Sequence, residues 1–332
     1  MKPCRAMSVF YALCVAVIVL TSCQKPFHEQ TERYIFVATN ISLPYWQEAQ
    51  AGFMAAARVL GVKGEFTGPA GYSPEDQLKE FQKAVASRPS GILVSPARPE
   101  TFKDDIDLAV QQGIPVICVD ADSPESRRNL FIGTDNFRAG LEMGNRMATI
   151  LRGRGLVAVI LIPGQFNLDE RHRGVLEAFR KFPGIQITKI IDDKGDPRAA
   201  NDQISAILER KEKLDGILGL NASGGPGAAE ALYRVGLSGK IAIVAMDKEP
   251  ETLDWIKRGV IAVTLAQKPY TMSFYGLKFL DDLHHNIVRE FKDWRTAPAS
   301  PLPTLVDTGT ATVDEQNVED FVTALASQRK LL

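Results

Sequence analysis

Ten residues of this 332-residue chain share one habit: each stands at, or a short loop after, the end of an apolar run. They are Thr39, Tyr45 and Trp46, then Ser95, Asp120, Thr134, Arg171, Asn221, Asp247 and Gln267. Together they supply aromatic rings, carboxylates, a guanidinium, amides and hydroxyls. That set suits a ligand that carries many hydroxyl groups. An Asp accepts, an Arg donates, and Asn or Gln does both. Charge-assisted hydrogen bonds strengthen the grip, and flat aromatic rings cover the apolar C–H faces of a small ring compound. Each residue alone also reads as a cap or turn former, as Asp and Asn after strands often are. The set, taken whole, points to carbohydrate.

The elements that must position these residues alternate strand and helix. The pivotal stretch is 114–136, IPVICVDADSPESRRNLFIGTDN. Its first apolar run, 114–119, reads as a strand buried on both faces of a parallel sheet. The run ends on Asp120, at the carboxyl edge where open α/β sheets hold ligands. A second short run, 130–133, ends in Thr134, and a helical pattern follows directly. Two strands in quick succession mark a crossing from one lobe to another.

The same grammar runs on both sides. Strands are expected over 34–38, 64–67 and 91–94, then over 156–162, 185–191, 216–220, 241–246 and 260–266. A helix over 270–290 is the longest. A Pro-rich segment, 297–303, leads to a last strand over 304–308 and a terminal helix from 314. Alternation of this kind means parallel sheets with right-handed crossovers. One sheet of so many strands would be unusually wide, so the fold class is α/β with two Rossmann-like lobes. The expected lobes are 34–134 plus 268–303 and 135–267 plus 304–332.

A formal net charge of −1 offers nothing to nucleic acid or to an anionic membrane surface. The amino terminus reads as a secretory signal: Lys2 and Arg5, an apolar run over 10–20, then Leu20-Thr21-Ser22-Cys23. These four residues resemble the bacterial lipobox, which implies acylation at Cys23. The alternative is ordinary cleavage nearby, with Cys23 left a free thiol. Residues 24–33 read as a tether. Of four cysteines only Cys118 remains for the folded part, so no disulfide framework is expected.

In this order and spacing the motifs resemble the bacterial periplasmic binding proteins of the ribose-binding type. The resemblance covers about 34–321. It rests on Pro44-Tyr45-Trp46, Ser95-Pro96, the run from Pro115 to Asp120, Gly133-Thr134-Asp135-Asn136, Arg171-His172-Arg173-Gly174, Asn221, Met246-Asp247, and Thr264 with Gln267. It implies two lobes joined by a three-crossover hinge, and capture of a monosaccharide or polyol for the permease of an ABC importer. By position, Tyr45 and Trp46 match the ring-stacking aromatics. Asp120, Arg171, Asn221, Asp247 and Gln267 match the hydroxyl-binding set, and Ser95 and Thr134 sit where the family often has ligand-contacting polar groups; Thr39 joins the expected site from its place after the first strand. The implied protein is a monomer of the bacterial cell envelope, held to a membrane only by its lipid. Four positions depart from the pattern. Leu43, Ala121 and Ala222 replace polar or charged residues, and Met246 replaces a frequent aromatic. Ribose itself is therefore disfavoured.

Other classes fit less well. Gly224-Gly225-Pro226-Gly227 lies between a strand and a helix, but Glu230 stands where a dinucleotide loop needs its last glycine. No G-x-S-x-G elbow is present. The four histidines, His28, His172, His284 and His285, make no H-E-x-x-H pattern. No catalytic residue, cofactor or metal is therefore expected. A sugar-responsive repressor would need a helix-turn-helix segment where the signal stands. A sensor that presents bound sugar to a membrane receptor remains beside the importer.

Overall fold

The computed structural model describes residues 27–29, 31–285 and 302–331. The signal, Cys23, most of the Pro-rich segment and the expected end of the long helix beyond 285 lie outside these residues. Among the described residues no helix is long and apolar enough to cross a membrane.

Two six-stranded sheets form the two lobes. In the first lobe β1 (Arg33–Val37), β2 (Lys63–Thr67), β3 (Gly91–Val94), β4 (Val116–Val119) and β5 (Leu130–Gly133) alternate with α1 (Pro44–Leu60), α2 (Pro74–Ala86) and α3 (Pro99–Gln111). The second lobe carries α4 (Asn136–Ile150), β6 (Arg154–Leu161), α5 (Phe166–Phe179), β7 (Gly184–Asp192), α6 (Pro197–Glu209), β8 (Gly216–Gly219), α7 (Gly224–Arg234), β9 (Ala242–Met246), α8 (Pro250–Lys257) and β10 (Val263–Ala266). The chain then returns to the first lobe as α9 (Pro269–His284). It ends with β11 (Leu305–Asp307), β12 (Ala311–Asp314) and α10 (Val318–Leu331).

The strand orders are β11-β5-β4-β3-β1-β2 and β12-β10-β9-β8-β6-β7. Every pairing is parallel except β10 with β12. Central strands such as β3, β4 and β8 are buried along their whole length, because helices cover both faces. Each lobe consequently holds two apolar clusters, one per face of its sheet. Helix α9 packs against the α1 face of the first sheet through Met272, Leu277 and Leu280. Cys118 is fully buried on β4, and burial pushes its thiol well up.

One boundary differs from expectation. The strand expected over 304–308 does not open the second lobe. As β11 it lies beside β5 in the first sheet, with Leu305, Val306 and Asp307 opposite Phe131, Ile132 and Gly133. The last crossing falls between β11 and β12, where Gly309 takes a φ of 69°. A three-residue strand carries too little pattern to reveal its sheet, and the crossing needs only a glycine turn.

Candidate functional site

Between the carboxyl edges of the two sheets lies a cavity of about 60 Å³. A single water needs roughly 10–15 Å³ by this measure, so the space suits a small molecule. Thr39, Tyr45, Trp46 and Asp120 line it from the first lobe, and Arg171, Asn221, Asp247 and Gln267 from the second. Ser95 and Thr134 do not line it; both instead hold side chains that do. Ser95 Oγ lies 3.4 Å from Asp120 Oδ2, and Thr134 Oγ1 donates to Gln267 Oε1 at 2.8 Å.

The aromatics stand on the first turn of α1, whose start is set by Pro44 at its first position. Their rings meet edge to face, 5.1 Å between centroids. Both are nearly buried, and Tyr45 Oη donates to Asp120 Oδ1 at 2.6 Å.

Asp120 and Asp247 occupy equivalent places, one residue past β4 and one past β9. Both have left-handed backbones, φ 63° and 73°. Among side-chained residues Asp and Asn tolerate this region best, and the sharp turn aims each carboxylate into the cleft. Asp247 Oδ1 accepts from Gln267 Nε2 at 2.8 Å. Burial pushes the Asp247 carboxyl up to about 6, opposed chiefly by the Arg171 charge. Burial raises Asp120 too, against the pull of Arg171 and its hydroxyl donors.

Arg171 is 1 % exposed and lies on α5. Its Nε donates to Asn136 Oδ1 at 2.9 Å, Nη1 to the Leu220 carbonyl at 2.8 Å, and Nη2 to Gln267 Oε1 at 2.8 Å. Five N–H bonds are available. Three are engaged and two remain for a ligand. The placement depends on glycines between α4 and α5: a Cβ on Gly140 would collide with the Arg171 carbonyl, and one on Gly174 with that of Phe137. Asn221 is fixed by donating to Asp193 Oδ1 at 2.8 Å while accepting from the Gly224 amide at 2.8 Å.

Sequence reasoning missed Gln165 and Asn167, which also line the cavity. They stand at the start of α5 and follow no strand directly. Asn167 Nδ2 reaches across to Asp120 Oδ2 at 3.2 Å. Gln165 Oε1 is buried without a partner in the protein, an acceptor aimed where a hydroxyl would sit. A Gln directly after Pro163-Gly164, at a helix cap, was the available signal. Leu43 and Ala222 also line the cavity, so the two departures fall on its wall.

The lobes touch across the cleft. Besides Asn167 with Asp120, Lys248 Nζ pairs with Glu48 Oε1 at 2.8 Å and donates to the Gln267 carbonyl at 2.7 Å.

Comparison with known proteins agrees with this architecture. Residues 34–285 match the model of the periplasmic binding protein domain. The D-allose-binding periplasmic protein of Escherichia coli K12 is 25 % identical over 259 residues, 75 % of this chain and 83 % of that protein. A sugar ABC transporter sugar-binding protein from Bacillus halodurans is 34 % identical with a TM-score of 0.74, covering 87 % of this chain and 99 % of its own. A solute-binding protein from Burkholderia graminis C4D1M, solved in complex with D-arabinose, is 27 % identical with a TM-score of 0.79, covering 89 % and 98 %. With its two parallel sheets and a polar cleft between their carboxyl edges, this chain belongs to the periplasmic binding protein family.

Proposed function

We propose that the protein captures a neutral monosaccharide or polyol between its lobes and delivers it, chemically unchanged, to an ABC importer. The observation that carries this reading is the buried set of Arg171, Asp120 and Asp247, with two guanidinium N–H bonds unspent. Two carboxylates against one guanidinium fit hydroxyl groups. A phosphate or carboxylate ligand would want excess positive charge. Tyr45 and Trp46 offer the apolar surface that a pyranose or furanose face needs.

The first two crossings between lobes, after β5 and after β10, and the third between β11 and β12 act as the hinge. A ligand that touches Asp120 on one lobe and Arg171 on the other binds the closed form better, and that difference shifts the population. Leu43 and Ala222 make the wall less polar there and favour a ligand with fewer hydroxyls on that side. Acylation at Cys23 would keep this monomeric binder at a membrane surface, beside its permease.

A thermal-shift screen of sugars and polyols identifies the ligand, since binding to the folded state raises the midpoint. Calorimetry on Asp247→Ala should then show affinity reduced by more than about tenfold, because opening a buried charged network typically costs about 2–5 kcal/mol. Small-angle scattering should show a smaller radius of gyration at saturation. Unchanged affinity, or no midpoint shift with any sugar or polyol, sinks the proposal.

A further inference from the structure

Far from the cleft, four metal-ligating side chains meet where the chain enters its first strand. His28 and Glu32 precede β1. Asp281 and His285 stand on the last turn of α9 and at its cap. One ligand atom from each lies within 4.8 Å of all the others. His28 Nε2 is 3.1 Å from Asp281 Oδ1, His285 Nε2 is 3.2 Å from Glu32 Oε2, and His285 Nε2 is 3.6 Å from Asp281 Oδ1.

These separations have a specific meaning. Ligand bonds of about 2.0–2.2 Å in a tetrahedron put the ligand atoms about 3.3–3.6 Å apart. These three of the six pairs lie near that edge length, and no other pair is wider than 4.8 Å. The chemistry agrees. Glu32 and Asp281 are 5 % and 4 % exposed. Two carboxylates in one nearly dry place require positive charge beside them, and a divalent ion held between them and the imidazoles would supply it. Both carboxylates are oriented by hydrogen bonds: Tyr34 Oη donates to Asp281 Oδ1, the ligating oxygen itself, at 3.0 Å, and the Glu29 amide donates to Glu32 Oε1, the oxygen facing away from His285, at 2.6 Å. Such outer hydrogen bonds are what ligating carboxylates use. The rings are held as well. Phe27 stacks on His285 at 4.5 Å and meets His28 edge-on at 4.8 Å.

We propose that His28, Glu32, Asp281 and His285 form a four-coordinate site for a divalent transition-metal ion, with Zn²⁺ the best fit. Mixed imidazole and carboxylate donors select it over Ca²⁺ and Mg²⁺, which take oxygen ligands in larger shells. All four protein ligands close the site, so its role is structural. The ion would staple the segment that follows the expected tether to the end of α9, giving the first lobe a fixed exit toward the amino terminus. This departs from the expectation of no metal drawn from the sequence, where 253 residues separate His28 from Asp281.

The test uses the full chain in detergent, stripped with a chelator and titrated with ZnCl₂ alone. One equivalent should bind and raise the thermal midpoint, and millimolar Ca²⁺ or Mg²⁺ should not displace it. Co²⁺ in its place should give the intense visible bands of a four-coordinate ion. Combining His28→Ala with His285→Ala should weaken Zn²⁺ at least tenfold. His284→Ala, beside the site, should leave it unchanged. Retained sugar binding in each variant reports that the lobes are folded. Zn²⁺ binding that is absent, survives the double substitution, or yields to Ca²⁺ overturns the proposal. Should the double variant not fold, a Co²⁺ spectrum of the unaltered protein without four-coordinate bands overturns it equally.

Discussion

Replacing Asp247 by Asn should make the ligand-free protein more stable at pH 8 while weakening ligand binding. Asp247 is 3 % exposed and its carboxyl is pushed up from 3.8 to about 6 by burial. At about 1.36 kcal/mol per pH unit, that rise corresponds to about 3 kcal/mol of folding free energy, lost in keeping the carboxylate ionised above pH 6. The sign follows from proton binding. Between pH 6 and 3.8 the folded state holds a proton that the unfolded state releases. This one group therefore adds stability as pH falls through that window, and its penalty is complete above pH 6. Asn keeps an oxygen to accept from Gln267 and tolerates the φ of 73°, so the substitution removes the charge with little change in shape. Chemical denaturation at pH 8 should show a gain of up to about 3 kcal/mol, and the two proteins should converge as pH falls toward 4. Calorimetry with a bound sugar should show the accompanying loss of affinity. A variant no more stable than the parent at pH 8 would refute the reasoning, because burial would then cost the ionised Asp247 nothing.

Three further outcomes follow from the same geometry. Gly140→Ala drives a methyl into the Arg171 carbonyl, so it should cost about 1–3 kcal/mol in stability and reduce sugar affinity, read by denaturation and calorimetry; parental values for both would show that the α4–α5 contact does not place Arg171. Glu48→Ala removes the pair with Lys248 that spans the lobes. At about 0.2–1 kcal/mol for a part-exposed pair, it should lower affinity, read by calorimetry, by about 1.4- to fivefold through the closure equilibrium. Cys23→Ser should move the protein from the detergent phase to the aqueous phase, and partitioning equal to the parent would argue against acylation at that residue.

How much of this was legible in the sequence depended on distance along the chain. Asp120, Asn221, Asp247 and Gln267 were readable because each follows a short apolar run, and parallel topology gathers such ends on one edge. Tyr45 and Trp46 were readable through Pro44, which starts their helix. Ser95 and Thr134 looked alike in sequence, but their hydroxyls meet Asp120 and Gln267 and they do not line the cavity. Gln165 and Asn167 were hidden because a helix start, not a strand end, presents them. Neither the sheet that β11 joins nor the meeting of His28 with Asp281 was legible. A three-residue strand has no period to count, and a contact across 253 residues leaves no local trace.

The late strands also bear on how the chain comes to be folded at all. The first sheet lacks the strand at one of its edges until residue 307 is available, and the second until residue 314. α9, which covers one face of the first sheet, arrives only after β10 of the other lobe. Neither lobe is therefore completed by one continuous stretch of the chain. Long-range pairing of this kind slows folding, because loop closure must precede the contacts that reward it. The two sheets are thus finished by one short segment, 305–314, which joins first one lobe and then the other.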